Sequence, residues 1–214
     1  MALVLKDGEK IVFIGDSITD CFRRTEERPL GRGYVKFFAD LVMIREPEKK
    51  ITIINRGIGG NTVVNLRDRW EDDLLRHQPD WISVMIGIND LHRFLRATPE
   101  SVPPDLFAKT YREILERTKQ GLPGCRIVLL EPFYISADCS QASLRGEVLR
   151  TMPDYLHAVR QLAAEFGARL VETHGIFQAL IKTHDPDILC PEPVHPYPVG
   201  HLVIADHLYR ALSG

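Results

Sequence analysis

Four mainly apolar runs, at 11–14, 51–54, 81–86 and 126–130, are spaced along the chain, the first of them continuous and rich in β-branched residues, and a shorter fifth lies at 168–171. Runs of this length without polar alternation suit strands buried on both faces of a parallel sheet. Between them the apolar positions recur with helical spacing, as in Tyr34, Phe37, Phe38, Leu41 and Val42 ahead of Pro47, and again over 63–76, 105–118, 144–166, 174–183 and 200–212. This alternation predicts an α/β fold, a three-layer sandwich around a central parallel sheet of about five strands. Right-handed crossovers and a flavodoxin-like order 2-1-3-4-5 are the expected topology. No repeat, low-complexity tract or linker divides residues 1–214, which read as one domain.

The first three runs each end in an unusual polar or glycine-rich element. The first stops at Gly15-Asp16-Ser17, the second at Asn55-Arg56-Gly57-Ile58-Gly59-Gly60-Asn61-Thr62, and the third at Gly87-Ile88-Asn89-Asp90. In an open parallel sheet the carboxyl ends of the strands share one edge, where ligands bind. Ser17 is therefore a candidate nucleophile. Asp16, Ser17 and Thr19 also fit the ordinary role of turn and helix-capping residues. The glycine loop has neither phosphate-binding phasing, so it is either a tight turn or a set of N–H groups facing a bound atom. Residues 23–32 are too charged for a core and read as a loop, and 185–198, with five prolines, is expected to lack regular structure.

Composition narrows the partners. With 44% hydrophobic and 26% charged residues, the chain is ordinary for a globular domain, and a formal charge of −2 offers no footprint for nucleic acid or an anionic membrane. Residues 1–10 lack a leader pattern and no run approaches a membrane span, so a cytoplasmic protein is expected. Cys21, Cys125, Cys139 and Cys190 are far apart and read as free thiols. No metal-ligand spacing occurs among the histidines and cysteines, so neither metal nor cofactor is expected.

The closing segment adds Glu192-Pro193-Val194-His195-Pro196. A serine hydroxyl needs a base, the base needs an acceptor on its other nitrogen, and a developing oxyanion needs donors. Ser17, His195 and Glu192 can supply the first three. The N–H groups of Ser17 and Gly60 and the Asn89 amide can supply the donors.

These four blocks, in this order, resemble those of the SGNH or GDSL hydrolases over residues 10–206. More narrowly, the stretches 13–21, 79–81, 85–90 and 132–135 look like the bacterial acetylxylan esterase members. The resemblance implies Ser17 as nucleophile, Gly60 and Asn89 completing the oxyanion hole, and His195 as base. It implies a short-chain, acetyl-type esterase acting on a sugar or oligosaccharide. Lysophospholipid, thioester or aryl ester hydrolysis on the same fold is the alternative, and a non-catalytic flavodoxin-like module with Asp16 as phosphoacceptor is a third reading.

One departure stands out, because the family places Asp three residues before the histidine and this chain has Glu192. Either Glu192 reaches the imidazole, or Asp187 or a backbone carbonyl serves instead. Asp16, His92 and Tyr197 are expected around the pocket. His201 and His207 are expected in packing or at the surface, and Trp70 and Trp81 in the core more than as sugar platforms. Homo-oligomerisation is left open.

Overall fold

A computed structural model describes residues 2–214. Five strands form one parallel sheet in the order β2-β1-β3-β4-β5: β1 (Lys10–Gly15), β2 (Thr52–Asn55), β3 (Trp81–Met85), β4 (Arg126–Leu130) and β5 (Arg169–Val171). The expected order holds. Along β1, Ile11 through Ile14 are buried on both faces, and β3 is buried throughout, Ser83 included, as their mainly apolar runs require.

Two helical layers cover the sheet. On one side α2 (Tyr34–Arg45) packs against α10 (Pro198–Ala211), and Phe13 of β1 meets Tyr34 and Phe38. On the other, α3 (Val63–Asp68), α6 (Pro104–Gly121) and α7 (Leu144–Glu165) pack together around Phe107, Tyr111 and Tyr155. Trp70 and Trp81 are both buried, which settles them as core residues.

Several expectations need correction. Residues 63–76 are not one helix: α3 ends at Asp68, a turn α4 (Trp70–Asp73) follows, and a 3₁₀ turn spans Leu75–His77. The break at Arg69 has a clear function in packing. Trp70 enters the core, with its indole N–H donating to Thr118 Oγ1, while the Arg69 guanidinium turns back to bond Gly15 O at the end of β1. The polar residues after β3 open a helix that the sequence pattern did not predict, α5 (Ile88–Leu95). The proline-rich segment holds one helical turn, α9 (Pro186–Leu189), because proline is tolerated at the first position and Asp185 caps it by accepting from the Asp187 N–H. The remaining helices are α1 (Ser17–Asp20), directly after β1, and α8 (Thr173–Leu180). Among the described residues, no helix is long and apolar enough to cross a membrane.

Candidate active site

β1 delivers Ser17 just past the carboxyl edge of the sheet, as the first residue of α1. Asp16 caps that helix by accepting from the Ile18 N–H at 3.0 Å, so the capping role read from the sequence belongs to Asp16 and Ser17 is free to point outward. The Ser17 hydroxyl lies 2.8 Å from His195 Nε2, although 178 residues separate the two.

The carboxylate that meets the far side of the His195 ring is Glu192. Its Oε1 bonds the far ring nitrogen of His195, Nδ1, and also accepts from the His195 backbone N–H at 2.8 Å, while Oε2 accepts from the Val194 N–H at 3.0 Å. The extra methylene of Glu is absorbed by folding the carboxylate back onto its own turn. Asp187 instead sits in α9, and Pro193 O accepts from the Ile135 N–H at 2.8 Å, which ties this turn to the loop after β4. Burial pushes the Glu192 carboxyl up, but its bonds to His195 and to the two N–H groups reverse that and leave it below the usual range. The same bond raises His195 above an ordinary histidine. The imidazole is thereby fixed with Nδ1 toward the carboxylate and Nε2 toward the serine.

The glycine loop and α5 meet beside Ser17. Gly57 is packed so tightly that a Cβ there would lie 2.2 Å from the Asp20 N–H nitrogen, which sets the loop directly against α1. The Asn89 amide donates to Asn61 O at 3.0 Å, and an amide nitrogen carries a second N–H. Among the described residues, no acceptor meets the Ser17 or Gly60 N–H. Asp90, fully buried, accepts from the Val63 N–H at 2.9 Å, so Asn89 and Asp90 together clamp α5 to the loop that carries Gly60.

Sequence reasoning missed Arg69 and Arg93. Arg69 bonds Asn61 Oδ1, Arg56 O and Asp73 as well as Gly15 O, and Arg93 bonds Gly60 O at 3.1 Å. A lone arginine inside a helical pattern carries no signal of this in the sequence.

A cavity of about 930 Å³ opens beside Ser17 and His195, lined also by Phe22, Arg32, Tyr197 and His201. Tyr197, on the rim of this cavity before α10, is 44% exposed. Asp16 and His92 do not line it: Asp16 is 1% exposed behind α1, and His92 packs its ring edge-on to Tyr134. Burial raises Asp16 to about 6, with the Ile18 N–H and His195 acting against it. A carboxylate sealed in this way and committed to a helix cap is unsuited to accept a phosphoryl group, which removes the receiver-like reading. His201 is a core histidine, lowered to about 4 by burial, whose Nδ1 accepts from the Tyr34 N–H.

A strand-end serine hydroxyl on an imidazole backed by a carboxylate is an arrangement that can support acyl transfer. The model of the GDSL-like lipase/acylhydrolase family matches residues 13–203, and the chain belongs to that family. It is a carboxylic ester hydrolase.

The chain is 39% identical to an acetylxylan esterase of Geobacillus stearothermophilus, over 96% of this chain and 94% of that one. A crystal structure of that acetylxylan esterase superposes with a TM-score of 0.87 at 37% identity, covering 98% and 96% of the two chains. Further structures of it are described as catalytic mutants, with alanine at a serine, an aspartate or a histidine. An α/β hydrolase from the Lake Arreo metagenome superposes with a TM-score of 0.87 at 31% identity, covering 99% and 98%.

Proposed function

We propose that this protein is a serine esterase that removes short acyl groups, acetyl foremost, from a sugar or oligosaccharide through an acyl-enzyme. The observation that carries the reading is the unbroken chain from Ser17 Oγ through the His195 ring to Glu192 at the ligand-binding edge of the sheet. Likeness to an acetylxylan esterase across nearly the whole of both chains supports the acetyl and sugar parts.

The His195 imidazole accepts the Ser17 proton at Nε2 as Oγ bonds the ester carbonyl carbon. The imidazolium so formed is stabilised by Glu192. The negative charge on the former carbonyl oxygen is met by the N–H groups of Ser17 and Gly60 and by the second N–H of Asn89. His195 then returns the proton to the departing alcohol, and water enters by the same route to release the acid and restore Ser17. The cavity of about 930 Å³ is far larger than an acetyl group, and its size suits a bulky alcohol.

The test pairs serine-directed phosphonate labelling with a panel of acetylated sugars and p-nitrophenyl esters of increasing chain length. The expected result is an adduct on Ser17, loss of both labelling and turnover in Ser17→Ala, and activity falling beyond about four acyl carbons; a site that buried a longer chain would instead gain about 0.8 kcal/mol with each added methylene. Preference for long-chain, thioester or lysophospholipid substrates would replace this reading with another acylhydrolase activity.

A further inference from the structure

The chain leaving α1 turns in an uncommon way. Cys21 and Phe22, neither a glycine, are consecutive residues in left-handed backbone, with φ of 36° and 67°. Side-chain-bearing residues hold such a conformation when their surroundings impose it, and these positions gather at ligand sites. Here the surroundings are the segment 31–33. The Arg32 N–H donates to Cys21 O at 2.9 Å, a Cβ on Gly31 would lie 2.6 Å from the carbonyl oxygens of Asp20 and Cys21, and one on Gly33 would lie 2.8 Å from Cys21 Cβ. Only glycines on either side of Arg32 allow the two segments to lie this close.

The result is a built pair of side chains. The Arg32 guanidinium stacks 3.9 Å above the Phe22 ring, and both residues line the cavity that holds Ser17 and His195. Phe22 remains 45% exposed, and among the described residues Arg32 has no ion-pair partner. Neither belongs to the serine, histidine and carboxylate chain or to the donors beside it.

We propose that Phe22 and Arg32 form the subsite for the alcohol part of the ester and that they select a pyranose ring. This rests on the esterase reading above. A pyranose offers an apolar face of C–H groups and a rim of hydroxyl oxygens. The exposed part of the Phe22 ring packs against the first. The in-plane N–H groups of a stacked guanidinium stay free to donate to the second. A neutral polyol fits the rim better than an anion, because the other charges lining the cavity there, Arg24, Asp20 and Glu26, include an Arg24–Asp20 ion pair at 3.1 Å. An alkyl alcohol would leave the guanidinium without an acceptor.

The test compares an acetylated methyl pyranoside with ethyl acetate, whose alcohol is too small to reach the subsite, and with the acetate ester of a phosphorylated alcohol, in the wild type, Phe22→Ala, Phe22→Trp and Arg32→Ala. Phe22→Ala and Arg32→Ala are expected to lose about tenfold in kcat/KM on the pyranoside, through KM, with ethyl acetate within about twofold of wild type. Phe22→Trp, which keeps an aromatic face, should retain the sugar ester. Equal losses on both esters would overturn the proposal and reduce the pair to a support for α1, as would unchanged kinetics on both. A loss confined to an ester of a phosphorylated alcohol would assign Arg32 to an anionic group instead. A wild-type protein inert on both esters, with no phosphonate adduct on Ser17, overturns the esterase reading and the subsite with it.

Discussion

A single oxygen of Glu192, Oε1, binds both the ring Nδ1 and the backbone N–H of His195. The carboxylate therefore sets the ring's orientation and the shape of the turn that presents it. Glu192→Gln should lower kcat by a large factor, of the order of 10⁴ as in other triads where the tautomer is lost, with KM little changed. Asp187→Asn should stay near wild type. Kinetics of both variants on one acetyl ester check this, and the reverse pattern would transfer the role to Asp187.

Activity should also report this bond through pH. His195 acts as base only when neutral, and its pKa is raised above 6.5 by Glu192. The acid limb of kcat/KM should therefore have its midpoint above 6.5 in the wild type and move down in Glu192→Gln, where the negative partner is gone. A midpoint at or below 6.5 in both would separate the limb from this pair.

For Asn89→Ala the expected loss is about 10²- to 10³-fold in kcat with a small change in KM, because an oxyanion donor strengthens its bond as charge develops. Since Asn89 also donates to Asn61 O, the glycine loop loses one tether. Measuring KM alongside kcat separates the two effects: a misplaced loop raises KM, whereas a missing donor lowers kcat with KM little changed.

Asp90 gives a prediction about stability. Burial raises its carboxyl to about 7, with the Val63 N–H opposing and the nearby Asp16 adding to the rise, against an ordinary value of 3.8. The folded state thus holds this proton over a range where the unfolded chain has released it. Its contribution to stability is full below about pH 4 and is lost as pH rises through about 7. Asp90→Asn keeps an acceptor for Val63 and removes the titration. Compared with wild type, the variant should gain stability steadily between pH 4 and 7 in denaturant melts, and a constant difference across that range would contradict the assignment.

Strands β1, β3 and β4 were legible in the sequence because they are buried on both faces, which leaves a short run of mainly apolar residues bounded by turn residues. Glu192 and His195 were legible as a pair for a different reason: they are three residues apart, so a local turn suffices to join them. Helix α5 was hidden because Gly87-Ile88-Asn89-Asp90 has the composition of a loop, and the break at Arg69 was hidden because the side chains on either side keep helical spacing.

What the sequence by itself determined was the class of fold, the strand ends that face one edge, and the residue types available there. The tertiary structure decided which of these meet. Ser17 reaches His195 only because parallel strands bring β1 and the segment before α10 to the same edge, a closure across 178 residues that no local pattern encodes. Phe22 sits in a charged loop and acquires its place at the cavity from a left-handed turn pressed against Gly31 and Gly33. Local spacing records which face a side chain takes on its own helix or strand, whereas contacts between distant segments depend on packing that only the whole chain completes.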